Sequence, residues 1–235
     1  MILGCSLERL FFCKEKITSI VFSIAFYMLS VILIVGCDFP EEKNYHKGVY
    51  LLLDTSGTYT EELEKAQQII NYLLSNLESG DIFIVARIDS DSFSEKDIVA
   101  KVLLDSRPST ANKQKREFTS TIQKFVNTVG SSAYTDISGG LLQAIEYLNE
   151  SDVGERHILI FSDLKEDLPE NFQRNYVFSL DGFNVRTLNV TKLRSDNIDP
   201  TEYQTRLAEW ESRVVRGGGV WTVVNDPDRP DALGF

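Results

Sequence analysis

The stretch Gly48-Val49-Tyr50-Leu51-Leu52-Leu53-Asp54-Thr55-Ser56-Gly57-Thr58 constrains the fold more than any other part of the chain. Val49 to Leu53 is nearly continuous apolar sequence, as expected of a central strand covered on both faces. The run stops at a carboxylate, Asp54, and hydroxyls follow at Thr55, Ser56 and Thr58 around Gly57. From Glu61 to Leu77 the apolar residues Leu63, Ala66, Ile69, Ile70, Leu73, Leu74 and Leu77 recur at three and four, which predicts an amphipathic helix. Asp54, Ser56 and Thr58 therefore sit where a strand turns into a helix, the place where open α/β sheets bind ligands. Alternate positions of an extended loop point the same way, so these three oxygens can converge. Carboxylate, hydroxyl and water oxygens suit a hard divalent cation, Mg²⁺ or Mn²⁺.

Two later stretches extend the pattern. Asp163 follows a second strand-like run, His157 to Ser162, and Thr135-Asp136 closes a short polar loop before a helical run from Ile137. This set resembles the metal-ion-dependent adhesion site of von Willebrand factor type A (vWA) domains: D-x-S-x-S, then a distant Thr, then a distant Asp. The resemblance runs from about Gly48 to Asn225 and departs from the family at Thr58, where Ser is usual. Threonine keeps the hydroxyl. It implies a vWA-type, Rossmann-like α/β fold: a doubly wound, mostly parallel sheet of about six strands with helices on both faces. It also implies a metal site at Asp54, Ser56, Thr58, Thr135 and Asp163. In such sites Ser56, Thr58 and Thr135 would be direct or water-linked ligands, with Asp54 and Asp163 held largely through water. An open coordination position would be filled by a Glu or Asp of a protein partner.

The remaining pattern alternates strands and helices, which argues for one mostly parallel α/β domain. Strands are expected at Ile82–Ile88, Ile98–Leu104 (an antiparallel edge in the vWA pattern), through His157 to an end at Asp163, at Val185–Val190 and at Val220–Val224. Helical faces are expected at Phe118–Val129, Ile137–Leu148 and Glu202–Val215, with a short helix between Leu168 and Leu180. The basic segment Arg107 to Arg116 reads as a solvated loop and helix start. Asp89-Ser90-Asp91-Ser92 reads as a solvated turn, and the end of the chain after Asn225 as a loosely packed tail.

The first 36 residues are a different material. Arg9, Lys14 and Lys16 precede an apolar run from Ile17 to Gly36, the shape of a secretory signal. Ile34-Val35-Gly36-Cys37 resembles a bacterial lipobox, which implies lipidation at Cys37 and a domain tethered to the extracytoplasmic side of a bacterial cell membrane. The alternative is a single-pass transmembrane helix, since about 20 apolar residues span a bilayer. The resulting division is a signal or membrane segment at 1–36, a tether at 37–47, a vWA-like domain at 48–225 and a tail at 226–235. All three cysteines, Cys5, Cys13 and Cys37, precede the domain, which therefore has neither disulfides nor thiolate metal sites.

The formal charge is −11. Arg9, Lys14 and Lys16 against Glu8 and Glu15 leave the leader at +1, so the rest carries −12. That balance disfavours nucleic-acid binding, which needs basic residues against phosphates. A hydrolase reading fares poorly. The stretch superficially resembles the D-x-D-x-T of haloacid-dehalogenase phosphatases, but Ser56 stands where their acid would be. Aspartic proteases share D-T-G-[ST], which Ser56 interrupts here. The only histidines, His46 and His157, neighbour no plausible nucleophile in sequence. The sequence thus favours a tethered, metal-dependent protein-binding module over an enzyme, with a metal-free vWA-like interaction scaffold as the alternative.

Overall fold

A computed structural model describes residues 44–57, 62–90, 92–169, 176–188, 190, 193, 195–225 and 233. The expected leader, Cys37 and the tether up to residue 43 lie outside the described residues, as does Thr58. Among the described residues no helix is long and apolar enough to cross a membrane.

The elements are β1 (Lys47–Asp54), α1 (Leu63–Asn76), β2 (Ile82–Ile88), β3 (Ile98–Leu103), α2 (Pro108–Thr128), α3 (Ile137–Glu150), β4 (Glu155–Phe161), β5 (Phe183–Leu188), α4 (Pro200–Arg216) and β6 (Val220–Val224). They build one six-stranded sheet in the order β3-β2-β1-β4-β5-β6. Only β3 runs antiparallel, against β2. This is the doubly wound α/β arrangement expected from the alternating pattern.

Burial on both faces explains the unbroken apolar run of β1. Side chains alternate across a strand. Tyr50 and Leu52 enter one core with Ile137, Leu141 and Leu148 of α3 and Trp210 and Val214 of α4. Val49, Leu51 and Leu53 enter the other with Ile69, Ile70 and Leu73 of α1 and Phe118 and Ile122 of α2. Stacking of Phe118 on Phe83, with ring centroids 5.0 Å apart, fastens α2 to β2.

Several boundaries differ from the sequence reading. The basic segment holds the expected helix start, earlier than its apolar face suggests: α2 starts at Pro108, a favoured first helical residue because it needs no N–H partner there. Lys115 Nζ donates to the Leu77 carbonyl at the end of α1, and Arg107 grips Asp105 at 2.9 Å, so these cations serve the fold. β5 begins two residues early, after a turn in which Gly182 has φ 76°, and ends at Leu188 rather than Val190. The tail is not wholly loose, because Leu233 is buried in the second core. Residues 168–169 and 176–180 are irregular rather than helical, and 170–175 lie outside the described residues.

His157 is a buried titratable group held far from its ordinary behaviour. Arg186 Nη1 donates to its Nδ1 at 3.0 Å, so the ring is an acceptor there. Burial, with help from Arg186, pushes its pKa down to about 4. A depressed histidine contributes stability above its ordinary value near 6.5, and this is lost as pH falls toward 4. Urea unfolding should show about 2 kcal/mol less stability from this group at pH 5 than at pH 7.5. His157→Gln should flatten that dependence; an unchanged slope would assign it to other groups.

Candidate functional site

Strand order reverses between β1 and β4, each of which sends its next connection to a different side of the sheet. A crevice outside the carboxyl ends of the strands is expected at such a switch point. The β1–β4 register pairs Leu53 with Phe161, so Asp54 and Ser162 leave the sheet side by side. Asp54 is fully buried. Its Oδ1 accepts the Ser56 N–H at 2.8 Å and its Oδ2 accepts the Ser162 hydroxyl at 2.7 Å.

A second loop, 130–136, lies against the first. Ser132 N–H donates to the Thr55 carbonyl at 2.8 Å, and Ser132 bridges Ser56 as a one-pair parallel ladder. Thr135 is almost fully buried, and its backbone exchanges two hydrogen bonds with Asp167 (2.8 and 3.0 Å). Asp136 caps α3 by accepting the Gly139 N–H at 2.8 Å. Glycine is needed there because a Cβ would overlap the Asp136 carboxylate, and at Gly140 one would press on Leu52 of β1. Gly139 and Gly140 thus allow close packing against the cap and β1.

The third loop follows β4. Asp163 is almost fully buried, and its Oδ1 accepts the Lys165 N–H at 2.8 Å. Arg206 of α4 donates Nε to the Asp163 main-chain carbonyl at 2.8 Å and both Nη groups to Asp196. The guanidinium is therefore spent on a carbonyl and on Asp196. Burial, with repulsion from Asp54, holds the Asp163 carboxyl above the usual carboxylate range, against the lowering effects of Lys165 and Arg206. Glu166 accepts the Ser138 N–H at 2.6 Å and faces Arg213 at 3.5 Å, which ties this loop to the start of α3.

The fold therefore brings Asp54, Ser56, Thr135 and Asp163 to the same edge of the sheet on three interlocked loops. Among the described residues no three His, Cys, Asp or Glu gather into a ligand cluster. The donor set is instead two carboxylates with hydroxyls. Two buried, mutually repelling carboxylates, with the Arg206 guanidinium engaged by a carbonyl and by Asp196, fit a hard cation.

One participant, Ser162, has no assigned part in the sequence pattern, and a second, the turn at Asp89, is expected there only as a solvated turn. Ser162 couples Asp54 to the third loop; its signal was a hydroxyl at the buried end of an apolar strand, which must find a partner. The turn after β2 is not simply solvated either. Asp89 accepts from Ser132 at 2.7 Å and pairs with Arg87 at 2.9 Å, while Ser92 is fully buried against Asp136. Asp91 lies outside the described residues.

No protein-family model matches the chain, and no curated protein matches it. Solved structures do. A von Willebrand factor type A protein from Catenulispora acidiphila is 12% identical with a TM-score of 0.51 over 81% of this chain. The pilus adhesin SpaC from Lactobacillus rhamnosus GG, in an open conformation, is 11% identical with a TM-score of 0.52 over 82% of this chain. This chain spans 42% of the first structure and 29% of the second. At these identities the likeness is one of fold, and the fold is of the vWA type.

A raised carboxyl pKa means that the folded protein binds the proton more tightly than the unfolded chain. Ionised Asp163 accordingly costs stability as pH rises through its folded value, and the cost is absent at low pH. Asp163→Asn should melt higher than the parent in EDTA at pH 7.5. The gain should fade toward pH 4. Equal melting at both pH values would contradict the unfavourable charge pair.

Proposed function

We propose that this protein is a membrane-tethered lipoprotein whose vWA-fold domain binds a protein partner through a divalent cation, Mg²⁺ or Mn²⁺. The observation that carries the reading is the pair Asp54 and Asp163, buried on neighbouring strand ends, with no ion pair to either carboxylate among the described residues. Asp54, Ser56, Thr58, Thr135 and Asp163 would hold the ion. Once bound, it would supply an electrophilic position for a Glu or Asp of the partner. Hydroxyl ligands leave more positive charge on the ion than carboxylates would, which favours accepting such a group. The likeness to a pilus adhesin is consistent with an adhesive role. No hydrolytic step is proposed, because the position two residues beyond Asp54 is Ser56, which is no acid near neutral pH.

A second reading has one observation in its favour. Both Asp54 oxygens already accept hydrogen bonds, so the loop is internally satisfied without an ion. A metal-free interaction scaffold on the same fold would need nothing more.

Thermal melts separate the two. A ligand that binds only the folded state at 100 times its Kd adds about 2.7 kcal/mol. Mg²⁺ or Mn²⁺ should therefore raise the melting temperature of the detergent-solubilised chain by several degrees over EDTA, and Asp54→Ala should lose the rise. No shift at millimolar cation would leave the scaffold.

Anchoring is tested independently. Cys37→Ser should abolish incorporation of radiolabelled palmitate in cells and leave an unprocessed precursor. An unlabelled parent protein that stays in the membrane fraction would point to a transmembrane segment.

A further inference from the structure

Leu164 is the one non-glycine residue with positive φ among the described residues, at 65°. It directly follows Asp163 and is buried, with its side chain in the core shared by α3 and α4. The left-handed region is unfavourable for L-residues with a branched or bulky side chain, and it persists only where surroundings over-determine it.

Those surroundings are specific. Leu164 N–H donates to Ser162 Oγ at 3.0 Å, and the Leu164 carbonyl accepts the Trp210 indole N–H at 3.0 Å. An amide N–H can only donate, so the Ser162 oxygen accepts there and its own hydrogen is left for Asp54 Oδ2, 2.7 Å away. The left-handed residue also turns the chain so that Lys165 N–H returns to Asp163 Oδ1 at 2.8 Å. One backbone turn therefore touches both carboxylates: Asp163 through Lys165, and Asp54 through Ser162.

We propose that Leu164, Ser162 and Trp210 are positioning residues: the left-handed turn at Leu164, held by the Ser162 hydroxyl and the Trp210 indole, sets the mutual placement of the Asp54 and Asp163 carboxylates and thereby the cation affinity. The proposal rests on the metal-site reading above. It goes beyond it by assigning affinity to residues that would not touch the ion. Core packing alone would make Leu164 and Trp210 contributors to stability with no effect on binding.

The two roles separate in a crossed set of variants of the detergent-solubilised chain. Mn²⁺ binding is titrated by electron paramagnetic resonance of the free ion, and melting is followed in EDTA. Leu164→Gly removes core contact but adopts the left-handed turn freely, so it should melt lower than the parent with an unchanged Kd for Mn²⁺. Leu164→Val keeps an apolar side chain but disfavours the turn, so its Kd should rise. Trp210→Phe keeps an aromatic body without the N–H, and Ser162→Ala removes the link to Asp54. For Leu164→Val, Trp210→Phe and Ser162→Ala we expect losses of about 10-fold or more, the usual effect of removing outer-shell support. Ser162→Thr, which keeps the hydroxyl, should restore binding.

Parent-like Mn²⁺ affinity in Leu164→Val, Trp210→Phe and Ser162→Ala would overturn the proposal and leave the metal site standing. Weakened binding in Leu164→Gly with parent-like binding in Leu164→Val would overturn it too, since affinity would then follow core contact. A parent protein that binds no Mn²⁺ would remove both the proposal and the metal reading.

Discussion

Burial of the Asp54 carboxylate at the end of the most buried strand is the constraint on which the carboxyl edge of the sheet depends. A carboxylate out of water must be hydrogen-bonded or matched by a positive charge. Asp54 is matched by hydrogen bonds, from the Ser56 amide within its own loop and from the Ser162 hydroxyl on the adjacent strand. The second bond obliges β1 and β4 to keep their register up to the last residue, and it brings Asp163 to the same place. Asp163 is thereby buried on the strand end beside Asp54, and burial first, with the Asp54 charge adding to it, raises its carboxyl.

The positive charges around the site serve its architecture. Arg206 holds a main-chain carbonyl and the buried Asp196, and Arg213 lies 4.2 Å from the centre of the Trp210 ring while binding Ser138 and facing Glu166. Each guanidinium spans two elements, so α4 grips both the loop after β4 and the start of α3. Beneath them the two-way backbone exchange between Thr135 and Asp167 zips the second loop to the third. Among the described residues the loops of the site are tied by hydrogen bonds before anything binds. Preorganisation of that kind reduces the ordering cost of association.

The opposite edge of the sheet is built for a different purpose. Asp81 accepts the Lys47 and Glu78 amides, the His46 carbonyl accepts those of Gly154 and Glu155, and Asn44 bonds Asp152. These bonds pin the chain as it enters β1, at the end of the strand far from Asp54. The entry point and Asp54 thus lie at opposite ends of one buried strand.

Much of this was legible in sequence because it is local. The two-sided burial of β1 follows from five consecutive apolar residues, and the helical faces of α1 and α3 follow from three-and-four spacing. Asp54 and Asp163 stood out because each ends an apolar strand. The helix start in the basic segment was legible too, but composition alone cannot tell a solvated cation from one that caps a neighbouring helix, as Lys115 does across 38 positions. Ser162 meets Asp54 across 108 positions, Ser132 meets Asp89 across 43, and Trp210 meets Leu164 across 46. No periodicity encodes such pairs. Sequence by itself determined the strands, the helices and which carboxylates would end the strands, because those depend on near neighbours and on side-chain polarity. Only the tertiary structure decided how the two carboxylates are held, which hydroxyl joins them and that Leu164 turns left-handed, because these depend on hydrogen bonds between groups that meet only once the sheet is assembled.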